Sequence, residues 1–152
     1  MLQRIQSVYL GIAVALLLTT IFLPVGQFIS ADGATFIFTN LGVDLPNDAG
    51  RDLAPWGMFA LLLFTAIISL ATIFLYTNRI LQIRMTLFSC ILLVGYYLMF
   101  LFFTYILQEK YQASYSLSWA LSLPLVALVL QYLALRAIGR DEAMVRAADR
   151  IR

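Results

Sequence analysis

The sequence predicts an all-α membrane protein: a four-transmembrane-helix antiparallel bundle with a small outer β-hairpin loop and a cytoplasmic C-terminal amphipathic helix. Three observations lead there. The 152 residues are 62% hydrophobic and only 12% charged, whereas a soluble domain is about half apolar and a quarter charged. Four apolar stretches each reach the roughly 20 residues that a helix needs to cross a bilayer core. The basic residues divide eight to two between alternate connecting segments, as the bias of cytoplasmic loops toward Lys and Arg requires.

The first span is expected over residues 8–28. Arg4 before it gives the basic start of a signal peptide, but the apolar run is long and Val25-Gly26-Gln27-Phe28-Ile29-Ser30 holds no small-residue cleavage site, so an uncleaved helix is expected. An outer loop follows over residues 29–54. Within it, Asp32-Gly33 is a turn signal between Gln27-Phe28-Ile29-Ser30 and Thr35-Phe36-Ile37-Phe38-Thr39, which reads as a hairpin. Residues 40–55 are turn-rich and expected to be irregular. The second span, 55–77, opens on Pro55, a residue suited to a first helical turn. The third, 85–107, follows a short connection, and the fourth, 117–138, follows the short loop 108–116. Consecutive spans are therefore antiparallel neighbours. The tail, 139–152, carries Met144, Ala148 and Ile151 at helical spacing beside Val145, and Glu142 stands four residues before Arg146. The whole of 1–152 reads as one domain without internal repeats.

Orientation follows from the charges. Arg4, Arg79, Arg84, Arg136, Arg140, Arg146, Arg150 and Arg152 lie on one side, and only Arg51 and Lys110 on the other. Both termini are thus expected in the cytoplasm. Trp56, Tyr111, Tyr115 and Trp119 would mark the outer interface, and Tyr9, Tyr76 and Tyr132 the inner one.

Composition also removes chemistries. The absence of His excludes the usual zinc sites, bis-His haem and His-based acid–base catalysis. The lone Cys90 lies in an apolar run with no cation or base near it in sequence, and reads as an inert thiol. Asp44, Asp48 and Asp52 invite a calcium reading. Pro46 and Ala49 break the EF-hand pattern, so a solvated acidic loop is expected instead. No acid, Lys or His falls inside a span, and the one Arg there, Arg136, sits at the fourth span's end, able to snorkel to the interface; a proton or ion path and a carboxylate pair for catalysis both lack their residues. Gln131 is the most polar group within a span and is expected to bond between helices. No catalytic residue, metal, cofactor or nucleic-acid partner is expected.

Two features could serve association. Ser7, Gly11, Ala15 and Thr19 recur every four residues, a small-residue stripe that lets a neighbouring backbone approach, either within the bundle or on a partner. The tail arginines Arg140, Arg146, Arg150 and Arg152 either anchor at anionic headgroups or dock a cytoplasmic partner. The aromatic third span, Tyr96 to Tyr105, fills the bundle, faces lipid or lines a pocket.

The opening Met1-Leu2-Gln3-Arg4-Ile5-Gln6-Ser7-Val8-Tyr9-Leu10 and the close Arg136-Ala137-Ile138-Gly139-Arg140-Asp141-Glu142-Ala143-Met144-Val145-Arg146-Ala147-Ala148-Asp149-Arg150-Ile151-Arg152 resemble an uncharacterised four-span membrane family of Bacteroidota, known only as a domain of unknown function. That resemblance implies the inner membrane and brings no reaction, ligand or functional residue. The first functional expectation is a non-enzymatic accessory or assembly subunit, acting through lipid, another membrane protein or a second copy of itself. The alternative is a small solute transporter or channel, and a third, remote from the residues present, is an intramembrane enzyme.

Overall fold

The computed structural model describes residues 2–152. The chain runs α1 (Leu2–Phe22), β1 (Pro24–Ser30), β2 (Thr35–Thr39), β3 (Val43–Asp44), β4 (Arg51–Asp52), α2 (Trp56–Phe74), α3 (Arg79–Tyr111), β5 (Ala113–Leu117) and α4 (Ser122–Ile151). Single 3-10 turns at Pro46–Asp48 and Trp119–Leu121 bridge the strands and α4. All four α-helices are long and apolar enough to cross a membrane.

The helices form a closed ring in which α1 touches α2 and α4, and α3 touches α2 and α4. Each turns one face inward: Leu10, Ala13 and Leu17 from α1, Met58 and Leu62 from α2, Leu93 and Tyr96 from α3, Ala127, Ala134 and Ile138 from α4. The spacing of three and four is that of one helical stripe.

The boundaries depart from the expected ones in three places, each for a local reason. The first helix stops at Phe22, not at residue 28. Pro24 biases Leu23 away from the helical region, and the apolar run continues as β1. Apolar content alone does not separate a buried strand from a helix end. Helix α3 is 33 residues long, about 50 Å at 1.5 Å per residue, and overruns the expected span at both ends. Helix α4 begins at Ser122, because residues 113–117 are strand, and continues without a break through Gly139 to Ile151. Span and tail are one helix.

The hairpin is present and is the middle of something larger. Five strands form an antiparallel sheet in the order β4-β3-β2-β1-β5. Its turn works as the Asp32-Gly33 signal implies. Gly33 sits at φ +81, a left-handed conformation glycine adopts without strain, and Ser30 and Ala34 close the turn by a backbone bond. The segment 40–55, expected to be irregular, supplies β3 and β4. Strand β5 comes from the short third connection: Phe28 pairs Phe36 on one side and Tyr115 on the other.

One face of the sheet lies on the helix ring and closes it at one end, here termed the cap end. Val25, Phe28, Phe38 and Val43 are fully buried there. The joint is aromatic: Phe38 stacks on Phe100 of α3 at 6.0 Å, Phe100 meets Tyr115 edge-on at 5.7 Å, and Phe36 stacks on Tyr111 at 4.5 Å. The overrun of α3 is what lifts Tyr111 to the level of the sheet. At the opposite, tail end, α4 runs past the bundle, and every residue from 143 to 152 is exposed.

Candidate functional site

Three clusters hold the polar chemistry of the described residues. The first lies at the tail end. Gln6 of α1 donates from Nε2 to the Asp141 carboxylate at 2.6 Å, and Arg79 of α3 reaches the Asp141 carbonyl at 3.5 Å. Asp141 is 8% exposed, so this knot ties three helices where α4 leaves the bundle. Sequence reasoning passed it over because its partners lie 135 and 62 residues away. Beyond the knot, Glu142 pairs with Arg146 at 2.9 Å. A cleft of about 430 Å³ opens at the root of the tail, lined by Thr77, Asn78, Arg79, Ile80, Glu142 and Val145.

The second cluster is a polar seam inside the bundle. Gln131 of α4 donates to Ser69 of α2 at 2.7 Å, and Ser69 bonds Ser89 of α3 at 2.9 Å. The interhelical bond expected of Gln131 is there, although its Oε1 is buried without a partner. Toward the tail end, Gln82 donates to the Thr72 carbonyl at 3.2 Å. Thr65, Thr72 and Thr86 return their hydroxyls to the carbonyl four residues back in their own helices. Above the seam, Leu17, Leu62 and Leu93 fill the core with no exposure.

The third cluster fastens the cap. Buried Asn40 takes the Tyr96 hydroxyl at 2.7 Å on Oδ1, donates to the Thr20 carbonyl at 2.7 Å, and accepts from the Phe59 amide on its backbone oxygen. One residue thus ties the sheet to α1 and α3 through its side chain and to α2 through its backbone. Asp52 of β4 accepts from Lys110 at 2.6 Å and from Tyr111 at 2.7 Å. The Lys110 bond and then the Tyr111 bond hold its carboxyl below the usual range. Asp44 pairs with Arg51. Burial pushes the Tyr115 hydroxyl up to about 12, and it donates to the Val25 carbonyl at 2.6 Å. Among the described residues no three metal-ligating side chains come together.

The association features fall on separate surfaces. The small-residue stripe runs from the edge of the bundle outward. Gly11 and Ser7 are half-buried, Ala15 and Thr19 are exposed, and a Cβ added at Gly11 would meet nothing within 4 Å. The most deeply buried face of α1 is Gln6, Leu10, Ala13, Leu17 and Thr20, and the stripe runs beside it. Arg140, Arg146, Arg150 and Arg152 are all exposed along α4. Of the third-span aromatics, Tyr96 and Phe100 are core, whereas Phe102 and Tyr105 point outward.

A family model described as "Domain of unknown function (DUF4293)" matches residues 2–151. No curated protein matches the chain.

Proposed function

The chain belongs to that family, and from this premise we propose a non-enzymatic integral protein of the bacterial inner membrane that acts by association, as an accessory or assembly subunit. Both termini lie in the cytoplasm, the tail end faces inward, and the sheet caps the outer side. Bilayer placement is supported by the surface: a third or less of each apolar window is buried within the chain, and outward residues such as Phe64, Ile91, Leu98 and Leu101 stay exposed. A water-soluble bundle would not tolerate that much apolar surface. Exposed Trp56 and Trp119 at the cap end, with Tyr76 at the tail end, sit where interfacial aromatics belong.

The observation that carries the association reading is the last third of α4. From residue 143 on every residue is exposed, and among the described residues none is part of the buried core. This stretch presents Met144, Val145 and Ile151 beside Arg146, Arg150 and Arg152, a surface suited to a cytoplasmic partner. The test is crosslinked affinity purification of the full chain and of a chain lacking 143–152 from native membranes. A companion that co-purifies with the full chain and is lost on truncation is the expected result. A bare monomer in both cases sinks the reading. Orientation is checked in a Cys90→Ser background with Asp32→Cys and Ala147→Cys: labelling of intact cells by an impermeant maleimide should reach the first alone.

Transport of a small neutral solute is a second reading, favoured by the buried hydroxyl and amide seam. The seam's groups are largely bonded to one another, and Leu17, Leu62 and Leu93 close the core beyond them, so association is preferred. Flux across liposomes carrying the pure protein would reverse that preference.

A further inference from the structure

We propose that the outward face of α4 binds an anionic phospholipid of the inner leaflet, with Arg136 and Arg140 as its phosphate clamp. The inference rests on the bilayer placement above but not on any protein partner. Leu125, Val129, Tyr132, Arg136 and Arg140 recur at spacings of four, three, four and four, which keeps them on one helical face, and all five are exposed. Read toward the tail end, the column is apolar, then aromatic, then doubly cationic. A phospholipid lying along the helix has the same order: acyl chain, glycerol ester, phosphate.

Among the described residues no acid compensates the two arginines. Among the described residues neither makes an ion pair or hydrogen bond. The nearest acids on the same helix are engaged: Asp141 is turned inward onto Gln6, and Glu142 holds Arg146. Exposed Arg4 of neighbouring α1 adds a further cation, without an ion pair among the described residues, near the level of Gln6 and Asp141. At the cap end the arrangement is the reverse, with Arg51 on Asp44 and Lys110 on Asp52. Two like charges one helical turn apart repel, and guanidinium groups pair phosphate oxygens bidentately. An anionic headgroup removes the repulsion and satisfies both.

Native mass spectrometry of the full chain, released from detergent after titration with phosphatidylcholine, phosphatidylglycerol or cardiolipin, tests this. Both anionic lipids should stay bound at collision energies that strip phosphatidylcholine, and two-phosphate cardiolipin should bind tightest. Arg136→Gln with Arg140→Gln should weaken anionic binding roughly tenfold or more. The paired Lys variant should keep the preference, and Arg146→Gln with Arg150→Gln should leave it unchanged. Equal retention of phosphatidylcholine, or undiminished anionic binding in the paired Gln variant, overturns the proposal. Displacement of the lipid by millimolar inorganic phosphate also overturns it, in favour of a soluble anion site. Alkaline carbonate extraction, which would release the chain if it were not integral, tests the bilayer placement separately.

Discussion

Asn40 does more at the level of a single residue than its place in a polar loop indicates. Its side chain accepts from Tyr96 and donates to Thr20 at 2.7 Å each, with no exposure. Asn40→Ala would leave the buried Tyr96 hydroxyl without a partner, a cost of about 1–3 kcal/mol, and would strip the Thr20 carbonyl of the shorter of its two bonds, the Leu23 amide remaining, at about 0.5–1.5 kcal/mol. The variant should lose roughly 2–4 kcal/mol in detergent unfolding followed by circular dichroism, and Tyr96→Phe about half of that. Asp52 gives a pH dependence of known sign. Its carboxyl is lowered in the folded chain by Lys110 and Tyr111, so the contribution is complete above the ordinary value near 4 and is lost as the pH falls through the lowered one. Hydrogen exchange at Arg51 and Asp52 should therefore hold steady from neutral pH down to about 4 and accelerate below it, relative to intrinsic rates. In Asp52→Asn the acceleration should disappear.

Between elements, the seam makes a comparison in which the sign matters. Ser69 is bonded by both Gln131 and Ser89. Ser69→Ala strands two buried groups and should cost about 1–2 kcal/mol, within the range of interhelical bonds in membrane bundles. Gln131→Leu removes one bond together with an acceptor that has no partner, and should cost less than about 0.5 kcal/mol or stabilise. A larger loss for Gln131→Leu in sodium dodecyl sulfate unfolding would contradict this account of the seam. The sheet has its own sensitive point. Gly26 lies under the Tyr115 ring, which a Cβ would strike, and that ring is held by the Val25 carbonyl, Phe28 and Phe100. Gly26→Ala should destabilise the cap by about 1–3 kcal/mol, read as earlier proteolysis at residues 40–55. The limits of legibility also sit between elements. Helix number and the Asp32–Gly33 turn were readable because length, hydropathy and turn chemistry are local. Strand β5 was not, since five residues with weak alternation become a strand only when β1 offers an edge. The Gln6–Asp141 knot was hidden for the same reason, and hydropathy carried the first helix past Pro24 into a strand that packs equally apolar side chains.

At the scale of the whole molecule, the chain is a closed ring, capped at one end, with an unsupported helix at the other. Truncation after Glu142 should leave the unfolding midpoint of the purified protein nearly unchanged, within about 0.5 kcal/mol, because the residues removed are exposed. A large loss would mean that the tail folds back on the bundle. The cap behaves differently, since β1 is an inner strand and needs one partner next to it in the chain and one far along it. Strand β2 follows at once, but Tyr115, which faces Phe28, is synthesised only after α2 and α3. At about 5–20 residues per second the interval is on the order of ten seconds. During that time one edge of β1 stands open beside apolar Val25 and Phe28, with its backbone donors and acceptors unclaimed. A nascent chain in this interval is the form most exposed to pairing with the wrong strand, and the stage at which a helper in biogenesis would have something to hold.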